Sequence, residues 1–193
     1  MGWQQVRKDM RMGKSIGLLE LKSIPAGVQS ADEMLKAADV ELLVATAICP
    51  GKYIIIISGQ VGAVKSSMEK GRQMAGTFLI CHHIINNVHA SVPSALVGTV
   101  DVEHVTALGM LETMSALTAV RAADIAAKAS NITLMEVRVA RGLGGKGYLI
   151  FTGEVSAVKS ALNSCITQLA DAGDITSSCV IPSPHKGLLE KLI

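Results

Sequence analysis

The chain has 193 residues, of which 49% are hydrophobic and 18% are charged, and its formal net charge is +2. So small a charge, carried by scattered basic residues, argues against a nucleic-acid-binding protein. Its four cysteines form no Cys-x-x-Cys pair, which argues against a zinc ribbon, a thioredoxin-type site or a ferredoxin-type cluster within one chain.

The first elements follow a polar extension at residues 1–12. This extension lacks the apolar core of a signal peptide, so we expect the chain to stay in the cytoplasm. An apolar strand is predicted at 15–21, and a helix begins at Ser23-Ile-Pro25, because proline loses no hydrogen bond at an early helical position. The inward face of this helix is predicted to contain Val28, Ala31, Met34 or Leu35, and Ala38.

Two apolar runs then meet at Pro50-Gly51. Proline presets φ for the first central position of a turn and glycine accepts a positive φ at the second, so residues 44–59 predict a strand, a tight turn and a strand. Cys49 lies at the tip of this turn, where the backbone is most exposed. It is therefore the first candidate functional residue.

The apolar run from Leu42 to Val64 also has to be tested as a membrane span. Polar or turn residues interrupt it at 50–52 and 58–60, so each part has the length of a strand. A spanning helix needs ~20 uninterrupted apolar residues. We therefore expect no membrane span, and we expect so apolar a chain to bury further surface in subunit contacts.

The first half ends with a helix at about 61–75 and a strand at 77–85. The apolar stripe of this helix is predicted to contain Val61, Val64, Met68 and Met74. Together these elements give the order β-α-β-β-α-β.

The second half repeats this order at a nearly constant offset. An offset of 92 places Glu112 on Glu20, an offset of 94 places Lys146 on Lys52, and an offset of 96 places His185 on His89. Similarity of order and spacing over about ninety residues indicates a tandem duplication. In the second copy the turn is two residues longer and the cysteine is absent.

The predicted fold class is α/β, in an α+β arrangement of two tandem ferredoxin-like domains. Each domain is a four-stranded, mainly antiparallel sheet with helices on one face. The expected boundaries are an N-terminal extension at 1–12, a first domain at 13–97, a linker at 98–104 and a second domain at 105–193.

The chain resembles a bacterial microcompartment shell domain at 16–20 (Ile-Gly-Leu-Leu-Glu), 31–38 (Ala-Asp-Glu-Met-Leu-Lys-Ala-Ala) and 59–65 (Gly-Gln-Val-Gly-Ala-Val-Lys). The second copy agrees at 109–112 and 153–159. The resemblance covers about residues 13–193, and two copies in unpermuted order are typical of tandem-domain shell proteins. It implies a homotrimer of pseudohexameric shape that tiles, with other shell proteins, into the facets of a microcompartment.

Within this class, 48–52 (Ile-Cys-Pro-Gly-Lys) resembles the central-loop motif of the propanediol-utilisation type. The resemblance implies that three copies of Cys49 surround the threefold axis and hold one [4Fe–4S] cluster per trimer. Because such a cluster usually takes four cysteine ligands, one iron would remain for water, a small anion or a partner's side chain. The implied pore-lining residues are Ile48, Cys49, Pro50, Gly51, Gly142, Leu143, Gly144 and Gly145. The implied disc-edge residues are Lys36, Lys128, His89 and His185.

The remaining cysteines and the glycine motif are weaker candidates. Alternation along a strand sends Cys81 and His83 to one face and His82 to the other, so no compact metal-binding triad is expected. Cys165 and Cys179 are predicted core residues. The segment 142–147 matches Gly-x-Gly-x-x-Gly, but an apolar strand follows it instead of the helix that a dinucleotide site requires.

Catalysis is not expected, since no Ser-His-Asp set or paired-carboxylate motif can be placed. The hypothesis from the sequence is a shell protein whose Cys49 ring binds a [4Fe–4S] cluster for electron transfer across the shell or to an enclosed redox enzyme. One alternative is a shell protein with a metabolite pore and no cluster. Another is a small-molecule-sensing regulator built on ferredoxin-like domains.

Overall fold

The computed structural model describes residues 15–100, 102, 104–139 and 142–192. These residues form two compact units. The first takes in the described residues up to 90 together with 142–145, and the second takes in those from 91 to 139 and from 146 onwards. The first domain expected from the sequence, 13–97, therefore extends beyond the first compact unit.

The first unit contains the predicted β-α-β-β-α-β order. Its elements are β1 (Ser15–Leu21), α1 (Ile24–Ala37), β2 (Val40–Ile48), β3 (Lys52–Gly59), α2 (Val61–Ala75) and β4 (Leu79–Ile85). The strands are antiparallel and lie in the order β2-β3-β1-β4. A short 3₁₀ turn, Gly76–Phe78, occupies the start of the region predicted as the last strand.

The second unit repeats the first and begins with one additional helix, α3 (Ser91–Leu96). The repeated elements are β5 (Ala107–Thr113), α4 (Ala116–Ala129), β6 (Thr133–Val139), β7 (Gly147–Gly153), α5 (Val155–Gln168) and β8 (Ile175–Ile181). The sheet order is β6-β7-β5-β8, which matches that of the first unit. A final helix, α6 (Lys186–Leu192), ends the described chain.

Local sequence explains where α1 begins. The Ser23 hydroxyl accepts a hydrogen bond from the Ala26 amide at 3.4 Å, and Pro25 occupies the first turn. Such a cap satisfies one of the backbone donors that a helix leaves unpaired at its start. The sequence prediction of this helix start is confirmed.

The core of the first unit lies between its sheet and its two helices. It is built largely from aliphatic and sulfur-containing side chains, including Leu19, Leu21, Met34, Ile55, Ile57 and Met68. Of the side chains predicted to face inward, Ala31, Met34, Val64 and Met68 are buried.

The predictions of burial for three other residues are wrong, since Val28, Val61 and Met74 are exposed. Of the two alternatives at the next position of α1, Met34 is the buried one and Leu35 is exposed. On α1 the buried face is centred on Gly27, Ser30, Ala31 and Met34. Apolar character at helical spacing does not reveal which side of the stripe packs against the sheet, because that depends on tertiary contacts.

Among the described residues, no helix is both long and apolar enough to cross a bilayer.

Candidate functional site: the Cys49 hairpin

Cys49, Pro50 and Gly51 connect β2 to β3, as predicted. Gly51 has φ +66°, a conformation that glycine adopts without the steric cost of a side chain. Cys49 is exposed and forms no disulfide. The turn therefore presents a thiol to solvent at the end of a hairpin whose two strands are fixed in the sheet.

Only part of the expected pore-lining segment is exposed in the single chain. Cys49, Pro50 and Gly51 are exposed, whereas Ile48 is buried. The side chain of Ile48 belongs to the interior at the base of the turn. The groups that this hairpin can offer to a neighbouring molecule are those of residues 49–51.

A buried ion pair holds the base of the hairpin. Lys52 Nζ lies 2.7 Å from Glu20 Oε1, and Glu20 is only 2% exposed. Cys81 donates a hydrogen bond from Sγ to the other carboxylate oxygen of Glu20 at 3.4 Å. Because Lys52 follows directly after the turn, this pair ties the Cys49 hairpin to β1 in the centre of the sheet.

The second copy has the equivalent ion pair, and its glutamate is more exposed to solvent than Glu20. Lys146 Nζ lies 2.8 Å from Glu112 Oε1, and the hydroxyl of Thr176 donates to the same oxygen at 2.6 Å. The hydrogen bonds from Lys146 and Thr176 hold the pKa of Glu112 below its usual value. The sequence placed the two glutamates at equivalent positions, but it did not predict their lysine partners, which a comparison of Lys52 with Lys146 could have revealed.

The longer second loop comes against the cysteine turn. A Cβ added to Gly145 would lie 2.6 Å from the carbonyl oxygen of Cys49, a separation that real Cβ atoms do not tolerate. Gly145 also has φ +90°. Glycine is required here both for the backbone conformation and for the close approach. The structure thus places Gly145 against the turn at Cys49 and Pro50, which the family resemblance had assigned to the same site.

The other members of the second loop are more open. Gly142 and Gly144 have φ +74° and +63°, and a Cβ at either position would meet nothing within 4 Å. Leu143 is half-buried.

The remaining cysteines differ from Cys49 in their surroundings. Cys165 is buried and donates to the carbonyl oxygen of Ala122 at 3.3 Å, and burial raises the pKa of its thiol to about 12. It is a core residue, as predicted, and it stays protonated and unreactive at neutral pH. The prediction that Cys179 lies in the core is wrong. It is exposed on β8, which lies at the edge of the sheet and pairs only with β5.

The Cys81-His82-His83 segment forms no metal site in the described part of the chain. Cys81 lies on the face of Glu20, whereas His82 lies near Arg72 of α2. Burial, and then the charge of Arg72, lowers the pKa of His82. No group of three His, Cys, Asp or Glu side chains among the described residues is placed to hold a metal.

The four expected disc-edge residues are on the surface. Lys36 and Lys128 pair with Asp32 and Asp124, each one helical turn earlier. His89 and His185 are exposed, and His185 Nδ1 accepts a hydrogen bond from the amide of Gly187 at 3.1 Å. Their accessibility permits a role in contacts between assemblies.

Comparison with known proteins identifies the repeated unit. The family model of the BMC domain matches residues 15–88 and again 107–184. The chain is 40% identical, over 94% of its length and 99% of the relative, to the bacterial microcompartment shell protein PduT of Citrobacter freundii. It is also 34% identical over 86 residues to the carboxysome shell protein CcmK2 of Synechococcus elongatus, covering 84% of that shorter protein.

A solved structure has the same tandem arrangement. The crystal structure of a microcompartments protein from Desulfitobacterium hafniense superposes with a TM-score of 0.89 at 41% identity, over 92% of this chain and 98% of the other.

Proposed function

Because this chain belongs to the BMC-domain family of bacterial microcompartment shell proteins, as a tandem member of the PduT type, we propose that three copies form a pseudohexameric ring with Cys49 at its axis. The family consists of structural shell proteins, so the chain is assigned to a microcompartment shell and no residue is given a catalytic role. In a ring of this kind every loop of one chain is repeated by symmetry.

The exposed thiol of Cys49 is the observation that carries the proposed site. It lies at the tip of the β2–β3 hairpin, and Gly145 lies against the same turn. Glycine at position 145 lets the two backbones approach closely, without a side chain that would fill the space. The proposed lining of the central opening is therefore Cys49, Pro50, Gly51 and the loop 142–145.

The donor set fits a [4Fe–4S] cluster only in an assembly. Such clusters are held by cysteine thiolates, and one chain offers a single suitable thiol at this hairpin. Three chains around an axis supply three thiolates, which leaves one iron for a different ligand. When bound, the cluster would supply one-electron transfer. The chain's own contribution is to present Cys49 on a hairpin that the Glu20–Lys52 pair anchors.

Electron transfer across the shell, or to an enclosed redox enzyme, is the function that this site would serve. A ring with bare thiols beside a metabolite opening is the competing function within the same family. The regulator considered from the sequence finds no support in the family assignment. Lys36, Lys128, His89 and His185 are proposed to contact neighbouring shell proteins in the facet, since all four are accessible.

The test is anaerobic purification of the wild type, Cys49→Ser and Cys179→Ser. Cys179 is the matched control, because it is also an exposed cysteine but lies on β8. We expect absorption near ~400 nm, an EPR signal after reduction and iron in a trimer-sized species for the wild type and Cys179→Ser, and none of these for Cys49→Ser. Protein that remains colourless after reconstitution with iron and sulfide would contradict the cluster and favour the bare-thiol pore.

A further inference from the structure

Each unit has a surface groove between its second repeated helix and its last strand. In the first unit the groove lies between α2 and β4 and has a volume of about 320 Å³. In the second unit it lies between α5 and β8 and has a volume of about 290 Å³. An offset of 94 along the helix and 96 along the strand places every lining residue of the first groove on a lining residue of the second. The groove is therefore part of the repeated fold, and its two versions can be compared position by position.

The two grooves differ in the ionisable groups that line them. Both contain a lysine at the equivalent position, which is Lys65 in the first groove. The first groove adds Arg72 and His82, whereas the second has Ile166 and Ser178 at those positions. Basic groups are thus gathered in one copy only, and the other copy shows that the fold of the groove does not require them.

The two permanent cations of the first groove have no carboxylate partner. Lys65 and Arg72 are exposed, and they lie seven residues apart, which places them on one face of α2. Neither forms an ion pair with any residue that the structure describes. Glu69 is the only carboxylate among the lining residues of this groove, and it is not paired with either cation. Both cations are therefore available to an anion.

The strand side of the groove supplies an imidazole and apolar surface. His82 is half-buried and lies opposite Leu19 in the sheet. Burial, followed by the charge of Arg72, lowers the pKa of His82, and an anion beside the ring would act in the opposite direction. Met68 is buried at the base of the groove, and Ile84 is exposed at its side. The groove thus joins positive charge to apolar surface.

We propose that the groove between α2 and β4 binds a small organic phosphate. Arg72 would hold the phosphate group with its planar pair of N–H donors, Lys65 would add a second charge, and His82 would donate from the strand side. The carbon skeleton of the ligand would lie on Met68 and Ile84. A phosphate fits better than a carboxylate, because donors converge from both sides of the groove and a phosphate has more acceptor oxygens to meet them. All lining residues belong to the first unit, so the proposal depends on neither the trimer nor the cluster.

The test uses the full-length chain in a Cys49→Ser background, which keeps iron out, with phenyl phosphate as the probe. We expect isothermal titration calorimetry at constant ionic strength to show one site per chain. Arg72→Ile introduces the residue of the second groove and should weaken binding at least about tenfold, through the loss of charged hydrogen bonds. Glu69→Gln should tighten binding, because it removes the one negative charge of the lining. Lys159→Met, in the second groove, is the matched control and should bind like the parent. All three positions are exposed, so we expect the fold to be kept, which circular dichroism checks.

Two further measurements separate this site from general attraction of anions. In an NMR titration, phenyl phosphate should raise the pKa of His82 and leave that of His185, which lies outside the groove, unchanged. The groups that face His82 and enter this balance are Lys65, Glu69 and Arg72 on α2 and His83 on β4. The double variant with Ile166→Arg and Ser178→His should bind a second phenyl phosphate, in the groove of the second unit.

The proposal is overturned if the parent protein gives no heat of binding with phenyl phosphate at millimolar concentration. It is also overturned if Lys159→Met weakens binding as much as Arg72→Ile does, since the probe would then respond to surface charge alone. Inorganic phosphate that binds as tightly as phenyl phosphate would contradict the role given to Met68 and Ile84. A double variant of the second groove that folds and gains no site would contradict the roles given to Arg72 and His82.

Discussion

Replacing Lys52 with methionine tests whether the Glu20–Lys52 pair anchors the cysteine hairpin. Methionine keeps much of the length and the apolar stem but removes the charge, and it leaves the carboxylate of Glu20 buried without its cation. Removing one partner of a buried ion pair costs about 3–5 kcal/mol. Since Lys52 is 30% exposed and water can reach its end, we expect the low end of that range, about 3 kcal/mol in the free energy of unfolding.

The second copy supplies the matched control, Lys146→Met. Glu112 and Lys146 are each 39% exposed, and Thr176 continues to hydrogen-bond the carboxylate after the lysine is removed. An exposed pair of this kind contributes at most about 1 kcal/mol. Urea unfolding of both variants at one protein concentration, in a Cys49→Ser background that keeps iron out, measures the difference. Equal unfolding midpoints for Lys52→Met and Lys146→Met would refute the reasoning. It would also be refuted if adding Glu20→Gln to Lys52→Met did not restore stability.

Two further predictions concern the second loop and its ion pair. Gly145→Ala should cost about 1–3 kcal/mol in unfolding free energy, because its Cβ would meet the Cys49 carbonyl and φ is +90°. Gly142→Ala, with φ +74° and open space, should cost only about 1 kcal/mol, and equal costs would show that the contact with Cys49 contributes nothing. The lowered pKa of Glu112 means that its ion pair stabilises the fold at neutral pH and that this contribution is lost as the pH falls through the lowered pKa. An NMR titration should show that pKa rising in Lys146→Met, and an unchanged value would contradict the assignment of its cause.

The order of helices and strands could be predicted because the same sequence pattern occurs in both copies. Glycine and proline mark the turns, and each ambiguous apolar run in one copy has a second version in the other. The hairpin that exposes Cys49 followed from two residues, Pro50 and Gly51, whose backbone preferences are strong enough to act locally. Local preferences of this kind do not depend on the rest of the fold.

Burial on the helices could not be predicted in the same way. Val28 and Val120 are the same residue at the same place in two copies, yet one is exposed and the other buried. No pattern within either helix distinguishes them, because burial depends on tertiary contacts, and α3 packs against α4. The resemblance assigned Gly145 and Cys49 to one site, but their direct approach within one chain could not be predicted, since the two residues are almost a hundred positions apart.

The unlike tips of the two hairpins have a consequence for how such a protein can change during evolution. A disc made of six identical single domains presents every mutation six times, so a cysteine introduced at its centre appears as six thiols in a space that suits fewer. When two copies are joined in one gene, the domains around the disc fall into two alternating classes, one from each copy, and the two classes can mutate independently. The turn of one copy can then acquire a reactive residue, while the turn of the other copy becomes rich in glycine. In the proposed trimer the duplication thus reduces sixfold repetition of each residue to threefold repetition, and the sequence has Cys49 in one copy and a glycine-rich loop in the other.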